Sequence, residues 1–293
     1  MSFSSDVKKE LCAIECETDC CMRAEAYGLL YFGRAFSKSE ISIMTDYPFV
    51  AQKYKNAVMY LIQKEPDEAV SKSGKISLTI GSKDDRMSLL NELGYSGNEA
   101  SLRILTSNIE NECCFGAFLR GAFLACGIVT DPTKEYHLEF DVAFRNKSRD
   151  FCELFEDFSS IPKQSDRNGM QMVYFKDSSH IEDILTVMGA QVAVMEFISQ
   201  KIYKDVRNNV NRKVNCDNAN IKKTFAAASK QIEAIEQLKE SGKFENLPPE
   251  LKELAQLRLE NPEMTLNELG ENLSTPLSRS GVNHRLKKIV EFN

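Results

Sequence analysis

The chain repeats itself, and that repetition constrains its fold more than any other feature. Shifted by 93 positions, AEAYGLLYFGR (Ala24–Arg34) falls on AFLRGAFLACG (Ala117–Gly127), with Ala24 on Ala117 and Gly28 on Gly121. Farther along, KDDRMSLLNELG from Lys83 falls on KDSSHIEDILTVMG from Lys176, with a drift of two residues by Gly94 and Gly189. Both copies carry the same order of patterns. A small-residue helix leads, and an alternating strand follows (Ile41–Met44; His137–Val142). Aromatic-rich helical stretches come next (Phe49–Gln63; Lys147–Phe158), then a second strand (Lys75–Ile80; Met170–Phe175). A last helix closes on Gly94 or Gly189, as a C-terminal glycine should. Period-2 and period-3.6 patterns alternating in step predict two similar α/β lobes, 1–105 and 106–200. Small residues four apart (Ala24 and Gly28; Ala117, Gly121 and Ala125) predict that the two repeat helices pack closely against each other about a pseudo-twofold axis.

After Gln200 the texture changes. Residues 201–220 are basic and Asn-rich with weak periodicity, which reads as a linker or exposed loop. From 221 to 293 the pattern is helical throughout: Ile221–Ser241 ending at Gly242, Pro248–Leu259, Leu266–Leu273 and Ser278–Glu291. Thr265 and Glu268 are spaced as a capping box. The shape of TLNELGENLSTPLSRSGVNHRLKKI (Thr265–Ile289) is that of a helix-turn-helix, with a tight turn around Ser274–Pro276. Val282, Leu286 and Ile289 recur at helical spacing and should face the core. The opposite face carries Ser280, His284 and Lys287, flanked by Asn283 and Lys288. Ser280, Asn283 and His284 are candidates for base edges, since Asn can bond adenine bidentately. Arg279, Arg285 and Lys288 are candidate phosphate clamps.

Charge supports this division. The net charge of −6 hides 16 Lys+Arg against 13 Asp+Glu from Lys201 onward, and 21 against 30 before it. An acidic body with a basic tail suggests a polyanion partner engaged by the tail, here double-stranded DNA. Lys204, Arg207, Arg212, Lys213, Lys222 and Lys223 are the auxiliary basic residues of that reading. The acidic body offers a surface for protein partners. Its local cations Lys75, Lys83, Lys134, Arg145 and Lys147 leave open a patch of their own.

The longest apolar stretch, Phe115–Val129, has 15 residues and contains Arg120, too short and too charged to span a bilayer. The opening MSFSSDVKKEL lacks an apolar signal core, so a cytoplasmic location is expected. Nine cysteines are an odd number in such a chain, which argues for reduced thiols. Cys12, Cys16 and Cys20, four apart, would share one helical stripe and could hold a metal. They match no zinc spacing, however, and His137, His180 and His284 are remote in sequence. Buried apolar packing is the expected role for most cysteines, with no metal and no cofactor. Nucleotide and serine-hydrolase signatures are absent; SKSGK at 71–75 lacks the first glycine of a phosphate loop.

The motif GAFLRGAFLACGIVTDP (Gly116–Pro132) resembles the signature helix of LAGLIDADG homing endonucleases, and CCMRAEAYGLLYFGRAF (Cys20–Phe36) resembles a degenerate first copy. Together with the ending SRSGVNHRLKKI, nearly the whole chain resembles the WhiA family of bacterial sporulation and cell-division regulators. The resemblance implies an α+β, tandem-repeat, two-lobed LAGLIDADG-like domain followed by an all-α helix-turn-helix domain similar to the promoter-reading end of sigma factors. It also implies a DNA-binding role in transcription, chromosome segregation, cell division and sporulation, with protein partners in the transcription or division machinery, at the nucleoid. Active homing endonucleases hold divalent metal on an acidic residue near the end of each motif helix. Aligned on Gly121 those positions are Leu124 and Cys126; aligned on Gly28 they are Tyr31 and Gly33. None supplies a carboxylate, so loss of nuclease activity and a non-enzymatic role are expected. A protein-interaction adaptor with only non-specific DNA contact is the alternative.

Overall fold

A computed structural model describes residues 2–99, 101–156, 161–167 and 169–292. These divide into two units, Met1–Lys204 and Asp205–Asn293. The last two residues of the predicted stretch Lys147–Phe158 lie outside the described residues.

In the first unit, α1 (Phe3–Cys12) precedes α2 (Asp19–Tyr31), the first repeat helix. Then come β1 (Ala35–Phe36), β2 (Ile41–Thr45), α3 (Pro48–Ile62), β3 (Asp67–Val70), β4 (Ile76–Thr79) and α4 (Lys83–Glu92). The second repeat helix α5 (Glu112–Cys126) opens the same series again: β5 (Gly127–Val129), β6 (Leu138–Val142), α6 (Arg145–Glu153), β7 (Lys163–Arg167), β8 (Met170–Phe175) and α7 (Ser178–Met188). Among the described residues each lobe has a four-stranded antiparallel sheet, β1-β2-β4-β3 and β5-β6-β8-β7. The fold is the α+β tandem repeat that the sequence implied. The strands β2, β4, β6 and β8 follow from the sequence pattern; their pairing and the four outer strands do not.

The repeat helices meet where small residues let them. A Cβ on Gly28 would strike the backbone of Phe118 and Ala122, and one on Gly121 would strike Glu25 and Leu29. One apolar core runs through both lobes, from Leu11 and Tyr27 to Phe140, Phe175 and Leu185. Gly94 and Gly189 take positive φ (89° and 92°) at the ends of α4 and α7, as a left-handed C-terminal glycine does.

Arg120, which interrupts the longest apolar stretch, is buried across the seam. Its Nε donates to the Glu25 carboxylate, one Nη donates to the Met188 carbonyl at 3.1 Å, and the other lies 3.1 Å from Cys16 Sγ. Lys53 Nζ approaches the other Glu25 oxygen at 2.7 Å, so one buried carboxylate serves two cations.

Two expectations need correction. Residues 201–220 are neither linker nor loop: they belong to α8 (Gln191–Glu240), which begins well before Ile221. No Gly or Pro occurs between Gln191 and Ser241, and Ile202, Val206, Val210 and Val214 keep a four-residue apolar spacing. The asparagines lower helix propensity by only about 0.5 kcal/mol each, too little to stop propagation. Nor do Cys12, Cys16 and Cys20 form a stripe. Cys12 ends α1, Cys16 lies between the helices and Cys20 sits in α2.

In the second unit the end of α8 is followed by α9 (Pro249–Glu260), α10 (Leu266–Glu271) and α11 (Arg279–Glu291). They enclose a separate core of Ile235, Leu238, Leu254, Leu269, Leu286 and neighbours. Among the described residues no helix is long and apolar enough to cross a membrane.

Candidate nucleic-acid interface

Local chemistry sets α10 and α11 in a helix-turn-helix. Thr265 and Glu268 form the full capping box: Thr265 N–H donates to Glu268 Oε2 at 2.7 Å and Glu268 N–H to Thr265 Oγ1 at 3.3 Å. Accepting that backbone hydrogen bond holds the Glu268 carboxyl below its usual range. The turn closes through Leu277 N–H donating to the Gly270 carbonyl at 3.0 Å, and a Cβ on Gly270 would strike the Leu277 carbonyl. Glu253 of α9 braces the same turn, accepting from Ser274 N–H at 2.6 Å and Ser274 Oγ at 2.8 Å. Ser278 then caps α11, its side chain accepting from Gly281 N–H.

Val282, Leu286 and Ile289 are buried, so the rotation of α11 is fixed. Ser280, Asn283, His284, Lys287 and Lys288 are exposed, and at 3.6 residues per turn the first four share the face opposite that core. Arg279 is also exposed and lines a groove of about 420 Å³ with Asn283, Asn267, Lys223 and Arg258. Arg285 departs from the expected pattern. It is half-buried, and its guanidinium pairs with Glu250 of α9 at 2.7 Å, so it braces the helix rather than standing free as a clamp.

Sequence reasoning missed Arg258. It is 2% exposed, donates to the Met264 carbonyl at 2.7 Å, and its Nε has no hydrogen-bond partner among the described residues. No periodicity rule places an arginine inside a helical core, and only the three-dimensional packing discloses it.

The auxiliary cations are dispersed. Arg207, Arg212, Lys213, Lys222 and Lys223 are exposed on α8, but helical geometry spreads them around its circumference rather than over one face. Lys204 is engaged by the first unit, with its Nζ 3.2 Å from the Lys134 carbonyl and 4.7 Å from the Tyr136 ring centre.

Tyr31, Leu124 and Cys126, three of the residues the resemblance aligns with nuclease positions, lie in the last turns of α2 and α5, and Gly33, the fourth, lies two residues past α2. Tyr31 and Leu124 are buried, and each offers its carbonyl to a buried lysine. Lys147 Nζ donates to Tyr31 O at 3.0 Å and Lys8 Nζ to Leu124 O at 3.2 Å. Burial lowers the pKa of both lysines, that of Lys147 to about 8. Lys147 therefore belongs to no surface patch, contrary to the sequence reading. A side chain at position 33 has no room, because a Cβ on Gly33 would meet the Ser42 carbonyl at 2.6 Å. Cys126 is half-buried, with its thiol pushed up to about 12 by burial. The adjoining cleft, about 530 Å³, is lined by Lys8, Arg34 and Lys75 and by one carboxylate, Asp141. Beside this cleft Lys75 is itself paired with the Asp46 carboxylate at 3.8 Å.

Known proteins share this architecture. Residues 115–207 match a model described as the WhiA LAGLIDADG-like domain, and residues 210–293 match the WhiA C-terminal HTH domain. The chain is 36% identical over 308 residues to the "Probable cell division protein WhiA" of Alkaliphilus metalliredigens, covering 100% of this chain and 97% of that one. It is 38% identical over 310 residues to the protein of that name from Alkaliphilus oremlandii, with the same coverage. The crystal structure of full-length DUF199/WhiA from Thermotoga maritima superposes with a TM-score of 0.62 at 26% identity, covering 99% of this chain and 97% of that one. A two-lobed body built on paired motif helices, a helix-turn-helix that follows it in sequence and end-to-end similarity to these relatives place the chain in the WhiA family.

Proposed function

We propose that this protein is a non-enzymatic, DNA-binding transcriptional regulator acting in cell division, with α11 as the helix that enters the major groove. The observation that carries the reading is the outward face of α11. Ser280, Asn283, His284 and Lys287 stand together on a helix locked by Val282, Leu286 and Ile289, and Glu291 is its only acidic residue. Asn283 and His284 offer hydrogen bonds to base edges, while Arg279, Lys287 and Lys288 supply the phosphate-facing charge. Lys223 lines the same groove as Arg279 and adds a further cation beside it. Chromosome segregation and sporulation, at the nucleoid, are the processes in which such a regulator would act.

The body is read as a scaffold that has lost nuclease chemistry, since Tyr31, Gly33, Leu124 and Cys126 provide no carboxylate where cleavage would need one. Its acidic surface then serves transcription or division proteins. Titrating the full chain into a labelled duplex from its own promoter, across salt and against random competitor, tests the reading. A preferred site that survives competitor supports it. Binding that vanishes by about 200 mM salt with no preferred site would instead mean a protein adaptor with non-specific DNA contact.

A further inference from the structure

Four cysteines meet at the end of the α2–α5 pair opposite the degenerate cleft. Cys20 and Cys21 are the second and third residues of α2, and Cys113 and Cys114 hold the same places in α5, again 93 positions on. Their sulfurs all lie within 4.8 Å of one another, and Cys20 Sγ is 3.9 Å from Cys113 Sγ. A tetrahedral zinc centre with Zn–S bonds of about 2.3 Å has sulfur–sulfur edges of about 3.8 Å. One ion therefore fits if the longer edges close by up to about 1 Å. A disulfide requires two sulfurs to close to about 2.05 Å and leaves the other two thiols unused. An iron–sulfur cluster puts its own iron and sulfide atoms between the cysteines and needs them farther apart.

The surroundings suit a thiolate centre. Both helices start here, so free N–H groups and the positive ends of two helix dipoles converge on the charge that four thiolates and one dication would leave. Cys114 is buried while Cys113 is exposed, which gives an ion a route in from solvent. Sequence spacing could not reveal the set. Adjacent Cys-Cys pairs match no zinc pattern, and only the twofold relation of the lobes brings the two pairs together.

We propose that Cys20, Cys21, Cys113 and Cys114 form a tetrathiolate site for one zinc-type divalent ion that clamps the two repeat helices together across the pseudo-twofold axis. Four thiols give up four protons as the ion binds, leaving a centre of net charge −2. With four protein ligands no position remains open for water or substrate, so the ion is structural rather than catalytic.

The test uses the full chain, purified reduced, with Zn²⁺ or Co²⁺ as the probe. About one zinc per chain is expected, as are cobalt spectra with thiolate charge-transfer bands and the d–d bands of a tetrahedral sulfur site. The double variant Cys20→Ser/Cys113→Ser should lose at least about tenfold in affinity and should lose those bands. A control, Cys152→Ser/Cys216→Ser, should keep both. Zinc should raise the thermal midpoint of the wild type and of the control but not of the cluster variant. Substoichiometric zinc in a chain that circular dichroism shows to be folded would overturn the proposal. So would cobalt bands that persist in the cluster variant, a Cys20–Cys113 disulfide by mass spectrometry, or iron with acid-labile sulfide in place of zinc.

Discussion

Gly28 and Gly121 press reciprocally into each other's helix: a Cβ on Gly28 would strike the Phe118 carbonyl, and one on Gly121 would strike the Glu25 carbonyl. Glu25 and Phe118 are themselves 93 positions apart, so the contact is the same one made twice about a pseudo-twofold axis. Backbone meets backbone there, and no side chain can rotate away to make room. Gly28→Ala or Gly121→Ala should therefore destabilise the chain by about 2 kcal/mol or more, although alanine favours an isolated helix by about 1 kcal/mol. Gly281→Ala is the control. The atoms nearest its added Cβ are side-chain atoms of Leu277 and Ser278, starting at 3.6 Å, so urea unfolding should show it neutral or slightly stabilised.

Glu25 couples that seam to a buried charge network. Arg120→Met would leave Glu25 with Lys53 as its remaining cation, and Glu25→Gln would leave two cations without their carboxylate. Removing one partner of a buried pair costs about 3–5 kcal/mol. The double variant Glu25→Gln/Arg120→Met should be less destabilised than the sum of the singles, by about 1 kcal/mol or more in a double-mutant cycle. Additive losses would mean that the network is solvated.

Lys147 makes stability depend on pH in a defined window. Burial lowers its folded pKa to about 8, below the unfolded value near 10.5, so between these values the unfolded chain binds more protons. The lysine therefore penalises folding below pH 8, and that penalty is relieved as pH rises from about 8 to about 10.5, by up to about 3 kcal/mol. Lys147→Met removes the titrating group. The quantity to measure is the wild-type minus variant difference in unfolding free energy, which isolates this lysine and should rise with pH. A flat difference would show that Lys147 is solvated.

Much of this architecture is legible in the sequence because it is carried by hydrophobic spacing. The repeat helices, the inner strands β2, β4, β6 and β8, and the helix-turn-helix with its Val282/Leu286/Ile289 core all announce themselves that way. The outer strands do not. DEAV (Asp67–Val70) and KQSDR (Lys163–Arg167) are exposed throughout and have no buried face to alternate with. Helix α8 is obscured by asparagines, which favour turns locally but are outvoted by a long stretch without glycine or proline. Lys8, Lys147 and Arg258 are unreadable as interior residues, because a lone cation is placed at the surface by any sequence rule. In the candidate interface the exposed face of α11 follows from spacing, whereas the Arg285–Glu250 pairing depends on two helices that are distant in sequence.

Nuclease chemistry gives a direct negative prediction. Because none of Tyr31, Gly33, Leu124 and Cys126 carries a carboxylate, purified full-length protein should leave supercoiled plasmid intact with Mg²⁺ or Mn²⁺ over hours. Nicking that copurifies with the protein and is abolished by EDTA would show that displaced carboxylates such as Asp141 still assemble a metal site.

The most direct test compares full-length wild type, Asn283→Ala/His284→Ala and Lys287→Ala/Lys288→Ala on the promoter duplex and on random duplex, over a range of salt. If α11 reads DNA, the first variant loses specific affinity by about 1–3 kcal/mol for each base edge it no longer bonds, with non-specific binding unchanged. The second should weaken binding to both duplexes and reduce the salt slope by about one for each phosphate that is no longer neutralised. A wild-type preference for the promoter that survives intact in Asn283→Ala/His284→Ala would contradict the account, because sequence would then be read elsewhere in the chain.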